Sequence, residues 1–405
     1  MKKIALINSV CGYGSTGNIV IDLCNKIDKS NMQGHIFYGF HKTNYKSATK
    51  FSSDIYVKLN ILKTRLFGKH SFYSKFATKK LIRLLKEYNP DLIHINQVHG
   101  HYLNIPILFN YIEKENIPIV WTMHDCWPIT GHCAHFEYIN CEKWKKGCYD
   151  CPQLLSYPVS LIFDRSKVNW KDKNKYFNKP NNMNIICPSE WLASIIKQSF
   201  LNSYPIKTIN NGIDLTIYKP VNIDKLRKEF GLEDEFIVLG TRGKWFDPIN
   251  KKHTLELISK MPDDIRIVLL GVKKSEINNL PNNLIGVPYT SDKKLLSKYF
   301  SLADVFINLT LEDTFPTINI ESLACGTPIV TFDSGGSPEI IDKKTGVVVD
   351  KGNFEKVLSA INKIKNSDVN YKTNCRERAE KLYRNTECYN KYIRLYTELM
   401  SNSSK

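Results

Sequence analysis

A chain of 405 residues exceeds the usual single-domain size, and two domains, each able to bury its own core, fit its length. With 42% hydrophobic and 24% charged residues the composition is that of a globular protein, and no apolar run approaches the ~18 residues a membrane-spanning helix needs. A formal net charge of +17 calls for an acidic partner: nucleic acid, an anionic membrane surface or a phosphorylated substrate.

The start, Met1-Lys-Lys followed by an apolar run, is similar to a short signal peptide. The run is interrupted at Asn8 and ends in the glycine turn Cys11-Gly-Tyr-Gly, which suits a buried first strand over residues 4–8. The loop Gly12-Tyr-Gly14-Ser-Thr-Gly17 then opens a helix and can approach a phosphate or an acceptor sugar. It matches the dinucleotide fingerprint only loosely, and no acid ends the next strand, residues 35–39, so an NAD-dependent oxidoreductase is the lesser reading.

From Lys42 to Glu87 the chain carries twelve Lys or Arg residues against Asp54 and Glu87 alone, with Phe67, Phe72, Tyr73 and Phe76 interleaved. This predicts either a basic helical face resting on anionic lipid headgroups or a solvated lysine-rich surface. No recognition motif for nucleic acid accompanies the charge, so no nucleic-acid partner is expected.

Further strands are expected at residues 92–96, 119–123 and 184–187. The fourth ends in Val120-Trp-Thr-Met-His124-Asp125-Cys-Trp127, which places His124 at a strand's carboxyl end. Cys133, Cys141, Cys148 and Cys151 follow with His132 and His135 among them. Only the Cys-x2-Cys half has zinc-like spacing, leaving open a structural zinc or thiols packed in a core, and no residue is assigned to a metal. Eleven cysteines spread through a long chain without an export signal argue for reduced thiols in a cytosol.

The domain boundary is expected in the stretch that holds Asn210-Asn-Gly-Ile-Asp214 and Tyr218-Lys-Pro220, giving domains at 1–204 and 205–385. Residues 386–405 make a final helix that crosses back to the first domain and ends in a polar tail. Beyond the boundary, strands at 236–240, 265–271, 305–309, 328–332 and 347–349 are spaced by helical segments. Strands alternating with helices imply two α/β, doubly wound parallel-sheet domains. Leu239-Gly-Thr-Arg242 closes the first of these strands and Lys251-Lys252 precede a helix, with Lys244 between them.

The most informative string is Asp313-Thr-Phe-Pro-Thr-Ile-Asn-Ile-Glu321-Ser-Leu-Ala-Cys-Gly326. It follows a strand, so its first half is a loop at the strand's carboxyl end and its second half a helix, the place where ligands bind in such sheets. A helix start with unpaired amides, formed from Phe315, Pro316, Thr317 and Ile318, suits a phosphate group. Asp313 and Glu321 stand at opposite ends of this turn, which favours binding roles over a catalytic carboxylate pair.

This string resembles the motif of the large retaining glycosyltransferase family 4, in which two glutamates are separated by seven residues. Asp313 takes the first glutamate's place and Glu321 matches the second. The resemblance covers nearly the whole chain, including the linker and the His-Asp pair. The Trp144-Lys-x-Gly-Cys148 pattern resembles that of bacterial exopolysaccharide, O-antigen and colanic-acid-type transferases.

The resemblance implies a GT-B fold, two Rossmann-like domains facing a cleft. It implies transfer of a sugar, with retained configuration, from a nucleotide sugar, UDP- or GDP-linked, to a glycan or an undecaprenyl-diphosphate-linked acceptor. Arg242 with Lys251, Lys252 or Lys244 would hold the diphosphate, Glu321 the ribose, and Asp313 and the 315–318 loop the sugar and phosphate. His124 would face the donor sugar and Gly14 and Gly17 would approach the substrate. No other cofactor is implied. The chain has no Asp-x-Asp, so no divalent requirement is expected. A cytoplasmic, membrane-peripheral setting is implied, and a noncatalytic nucleotide- or glycan-binding protein is the remaining alternative.

Overall fold

The computed structural model describes residues 1–402, in two compact units: residues 1–210 with 389 onward, and residues 211–388. The first is built on β1 (Lys2–Asn8), β2 (Met32–Tyr38), β3 (Ala48–Lys50), β4 (Leu92–Ile95), β5 (Ile119–Thr122), β6 (Met183–Cys187) and β7 (Ile206–Thr208). All neighbours pair parallel, in the order β3-β2-β1-β4-β5-β6-β7. Parallel strands need crossover helices on both faces, which explains why β1, β4, β5 and β6 are buried nearly throughout.

The second unit repeats the plan with β8 (Phe236–Thr241), β9 (Ile265–Leu270), β10 (Leu284–Val287), β11 (Val305–Asn308), β12 (Ile329–Phe332) and β13 (Gly346–Val349), in the order β10-β9-β8-β11-β12-β13. The strand order reverses between β1 and β4 in the first sheet and between β8 and β11 in the second. Loops at the carboxyl ends of such strand pairs splay apart and leave a crevice for a ligand.

The expected boundaries need correction at both ends of the second domain. Residues 205–210 stay with the first unit because β7 extends its sheet, Ile185 to Cys187 pairing with Ile206 to Thr208. The last helix, Asn385–Asn402, begins in the second unit, where Ile213 forms a parallel bridge with Arg384. From Tyr389 onward it belongs to the first. There Tyr396 Oη lies 2.5 Å from Nδ1 of buried His94, whose Nε2 is 2.8 Å from Thr122 Oγ1, while Tyr392 Oη is 3.1 Å from the same threonine hydroxyl. Burial, with the nearby charge of His124 adding, holds His94 down at about 3, so it stays a neutral linker of strand and helix. The end of the tail, residues 403–405, lies outside the described residues.

The basic stretch forms two helices, Asp54–Phe67 and Lys75–Tyr88. The first presents Ile55, Leu59 and Leu62 to solvent at 74%, 51% and 54% exposure. Their spacing of four and three residues puts them on one stripe.

Candidate active site

In the second unit the chemistry-bearing residues gather where β8 and β11 end. Residues 309–316 follow β11 and lead into the helix Thr317–Ala324. Asn308 Nδ2 donates to Asn319 Oδ1 at 2.8 Å, and its own Oδ1 accepts from Thr310 N at 3.2 Å, which fixes the turn at both ends. Asp313 sits at its tip with Oδ1 accepting from Phe315 N at 3.1 Å.

The loop after β12 grips the same residue. Gly336 N donates to Asp313 O at 3.2 Å, and an added Cβ on Gly335, whose φ is +54°, would lie 1.8 Å from that oxygen. Only glycine permits this approach.

The helix Thr317–Ala324 has no side-chain cap and no acid in its first turn. Its start carries the partial positive charge of unpaired amides. Of the four residues expected to supply amides, two cannot: Pro316 has no N–H, and Phe315 N is committed to Asp313. Phe315's ring is buried in the core against Tyr383. Thr317 and Ile318 remain. One turn on, Glu321 is hydrogen-bonded with the Tyr218 hydroxyl. Burial pushes the Glu321 carboxyl up to about 7, against the lowering effects of Tyr218 and the Lys293 charge.

Arg242 follows β8 directly, but its guanidinium is engaged. Nε and Nη2 donate to the two carboxylate oxygens of Glu276 at 2.8 and 2.6 Å, both side chains staying about one-third exposed. This two-pronged pair raises Arg242 and holds the Glu276 carboxyl below its ordinary range. The segment after Arg242 is anchored to the end of β11: buried Trp245 donates Nε1–H to Ile307 O at 3.1 Å, and Asn250 Nδ2 reaches Leu309 O at 2.8 Å. The exposed Lys244, Lys251 and Lys252 therefore stand on a segment tied to the site's floor.

In the first unit, Gly14 opens the helix Gly14–Asp28 at φ +63° with open space where a Cβ would go. Gly17 is different: it is buried, and a Cβ would press on Val10 and the backbone of Gly12 at 3.1 and 3.2 Å. It packs the helix against the turn. His124 is half-buried after β5, and burial holds its imidazole down at about 4, hence neutral.

The neighbouring Asp125 is the more connected group. Its Oδ2 meets His99 Nε2 at 2.6 Å, while His99 Nδ1 lies 3.1 Å from Tyr157 Oη. Burial would raise Asp125, but the charge and hydrogen bond of His99 outweigh it and hold the carboxyl at about 2. His99 follows β4 at the strand-order reversal, so this pair occupies the first sheet's crevice. The sequence offered no signal for it, since His99 is one of three histidines, with His94 and His101, in the ten residues from β4's start.

The four clustered cysteines surround a cavity of about 20 Å³ lined also by His132 and Trp144. All eleven cysteines are free thiols. Among the described residues no group of three or more His, Cys, Asp or Glu side chains already stands in coordinating positions, and no helix is long and apolar enough to cross a membrane.

Two doubly wound parallel sheets in one chain, the second with a basic strand end, an uncapped helix start and an acid one turn on, define a glycosyltransferase of the GT-B class. The chain belongs to glycosyltransferase family 4: the model described as Glycosyltransferase Family 4 matches residues 16–217, and that described as Glycosyl transferases group 1 matches residues 222–382. WcaC of Escherichia coli K12, named for colanic acid biosynthesis, is 25% identical over 375 residues, covering 89% of each chain. The processive diacylglycerol alpha-glucosyltransferase of Acholeplasma laidlawii is 29% identical over 244 residues, 56% of this chain and 73% of that one.

Among solved structures, sucrose-phosphate synthase from Thermosynechococcus elongatus superposes with a TM-score of 0.71 at 17% identity, covering 99% of this chain and 100% of the other. Anabaena HepE in complex with UDP-glucose gives 0.68 at 15% identity, covering 98% and 100%. The reading as a nicotinamide enzyme falls with these matches.

Proposed function

We propose that this enzyme moves a sugar from a nucleotide-sugar donor, UDP- or GDP-linked, to a glycan or undecaprenyl-diphosphate-linked acceptor, with retention of anomeric configuration, in bacterial surface polysaccharide assembly. The observation that carries the reading is the array at the second sheet's reversal point, where Asp313, the Thr317 and Ile318 amides and Glu321 line one helix start. Helix amides take the diphosphate, and Glu321 accepts hydrogen bonds from ribose hydroxyls. Asp313 faces the sugar. Arg242, once it leaves or shares Glu276, and a lysine among Lys244, Lys251 and Lys252 neutralise the departing nucleoside diphosphate.

The acceptor hydroxyl attacks the anomeric carbon from the face the diphosphate leaves. As that carbon's bond to the diphosphate oxygen breaks and its bond to the acceptor oxygen forms, the diphosphate takes the hydroxyl proton. No protein nucleophile takes part. His124, neutral, donates or accepts one hydrogen bond to the donor sugar. The colanic acid relative and the UDP-glucose complex of a structural neighbour support this reading.

The test is nucleotide release from UDP-, GDP- and ADP-sugars, followed by NMR of the product's anomeric proton. Release from one class with retained configuration is expected. An inverted product, or donor binding with no release, sinks the reading.

The exposed stripe Ile55, Leu59 and Leu62, flanked by exposed Lys58 and Lys63, supports a peripheral membrane setting on the cytoplasmic face, where apolar side chains enter the headgroup layer and lysines meet anionic lipid. Sedimentation with phosphatidylglycerol vesicles but not with phosphatidylcholine vesicles is expected, and loss of binding in Leu59→Ser/Leu62→Ser. Equal binding to both vesicles, or to neither, refutes it.

A further inference from the structure

The Cys133–Cys151 loop plays no part in the chemistry above, yet four thiols converge there. Cys133, Cys141, Cys148 and Cys151 line one cavity of about 20 Å³, room for a single water-sized occupant. Cys148 Sγ accepts from Gly131 N at 3.1 Å, and Gly131 must be glycine, since a Cβ would lie 2.1 Å from Ser166 O and 2.8 Å from Cys148 Cβ. A backbone N–H donated to sulfur is how a thiolate is held when its charge is to be kept.

Two further side chains point to an anionic occupant complex. His132, 4% exposed, lines the same cavity, and its Nε2 has no hydrogen-bond partner. Lys173, 1% exposed, donates to Trp127 O and Thr130 O at 2.7 and 2.9 Å and stands 3.3 Å from the Trp127 ring centroid, with no carboxylate among the described residues in ion-pair contact. A buried ammonium without a paired anion is costly. A metal thiolate supplies the missing negative charge.

We propose that Cys133, Cys141, Cys148 and Cys151 bind one thiophilic divalent cation, zinc, as a structural site. Four sulfur ligands in a cavity of this size suit tetrahedral Zn²⁺. The side chains are not in coordinating positions, so ligation turns them about χ1 into the cavity. Zn²⁺ displaces four thiol protons to solvent, leaving a site of charge −2 that Gly131 N–H, the His132 imidazole N–H and the Lys173 ammonium surround.

The consequence is mechanical. The loop between Asp125 and Cys151 holds only two short 3-10 turns, Trp127–Ile129 and Lys143–Lys145, and a four-point tether would fix it beside His124 and the His99–Asp125 pair.

The test is metal analysis of untagged full-length protein purified under reducing conditions, which is independent of any sugar-transfer activity. About one zinc per chain is expected. It should be released by a mercurial that titrates four thiols, and Co²⁺ replacement should give the thiolate charge-transfer band of a tetrahedral sulfur site. Cys141→Ser and Cys151→Ser should lose the metal, Cys375→Ser should keep it, and Lys173→Met should weaken it about ten-fold.

Should the serine variants fail to fold, the wild-type stoichiometry and cobalt spectrum still decide. Protein with four reduced thiols that takes up neither Zn²⁺ nor Co²⁺, or a disulfide within the cluster under the same conditions, overturns the proposal.

Discussion

Replacing Gly335 with alanine tests whether the loop after β12 sets the position of Asp313. The added methyl would sit 1.8 Å from Asp313 O. Carbon and a carbonyl oxygen cannot approach much below about 3 Å, so one loop must yield by about 1 Å. Holding a non-glycine residue at φ +54° costs about 1–2 kcal/mol, and forcing a backbone apart about 1–3 more. The sum is about 2–5 kcal/mol of stability. A misplacement of about 1 Å at the reacting centre costs about 100-fold in rate.

Gly352→Ala is the matched control: its φ is +77° but nothing lies within 4 Å of the added methyl, so it bears the conformational cost alone. Thermal unfolding and nucleotide release should separate the two, Gly335→Ala losing both stability and kcat, Gly352→Ala only stability. Equal turnover in the two variants would refute the reasoning.

Freeing Arg242 from its carboxylate partner by Glu276→Gln should lower the donor KM about two- to five-fold, because exposed ion pairs are weak, while Arg242→Ala should lower kcat about 100-fold. Initial-rate kinetics with saturating acceptor read both. Glu321 gives a pH signature. Its raised carboxyl stabilises the protein below the ordinary carboxylate range and loses that contribution as pH rises through about 7, so Glu321→Gln should unfold at a higher temperature than wild type at pH 8 and not at pH 5. Donor affinity should move the opposite way, weakening about ten-fold from pH 8 to pH 6 as the carboxylate is protonated, and isothermal titration with the nucleoside diphosphate checks it. Asp313→Ala should raise the donor KM at least about ten-fold more than Glu312→Ala; the reverse order would move the first acid of the motif by one residue.

Periodicity made most of both sheets legible, because a strand buried on two faces reads as a continuous apolar run. The three strands it missed, β3, β7 and β10, are edge strands of three or four residues; β3 and β7 are half-exposed and carry no such run, while β10, apolar with both ends buried, is too short to stand out. Missing β7 displaced the domain boundary. The acid motif was readable because Asp313 and Glu321 lie on one local loop and helix. Their partners were not: Tyr218 reaches Glu321 and Glu276 reaches Arg242 only through the fold, across separations that no local spacing encodes. The loop amides were overcounted for a simpler reason, an aspartate taking a backbone N–H two residues on.

The bridge between Ile213 and Arg384 has a further meaning for how such enzymes diversify. Ile213 N donates to Tyr383 O at 2.9 Å and Asn385 N to Ile213 O at 3.1 Å, so the chain enters and leaves the second unit along two adjacent, parallel tracks. Residues 211–388 are thus a cassette inserted into the unit formed by residues 1–210 and 389 onward, with splice points at 210/211 and 388/389. Grafting a relative's cassette there would exchange nucleotide-sugar preference while leaving the His94–Tyr396 contact of the host intact, whereas a cut at residue 210 alone would strip the first sheet of its last helix.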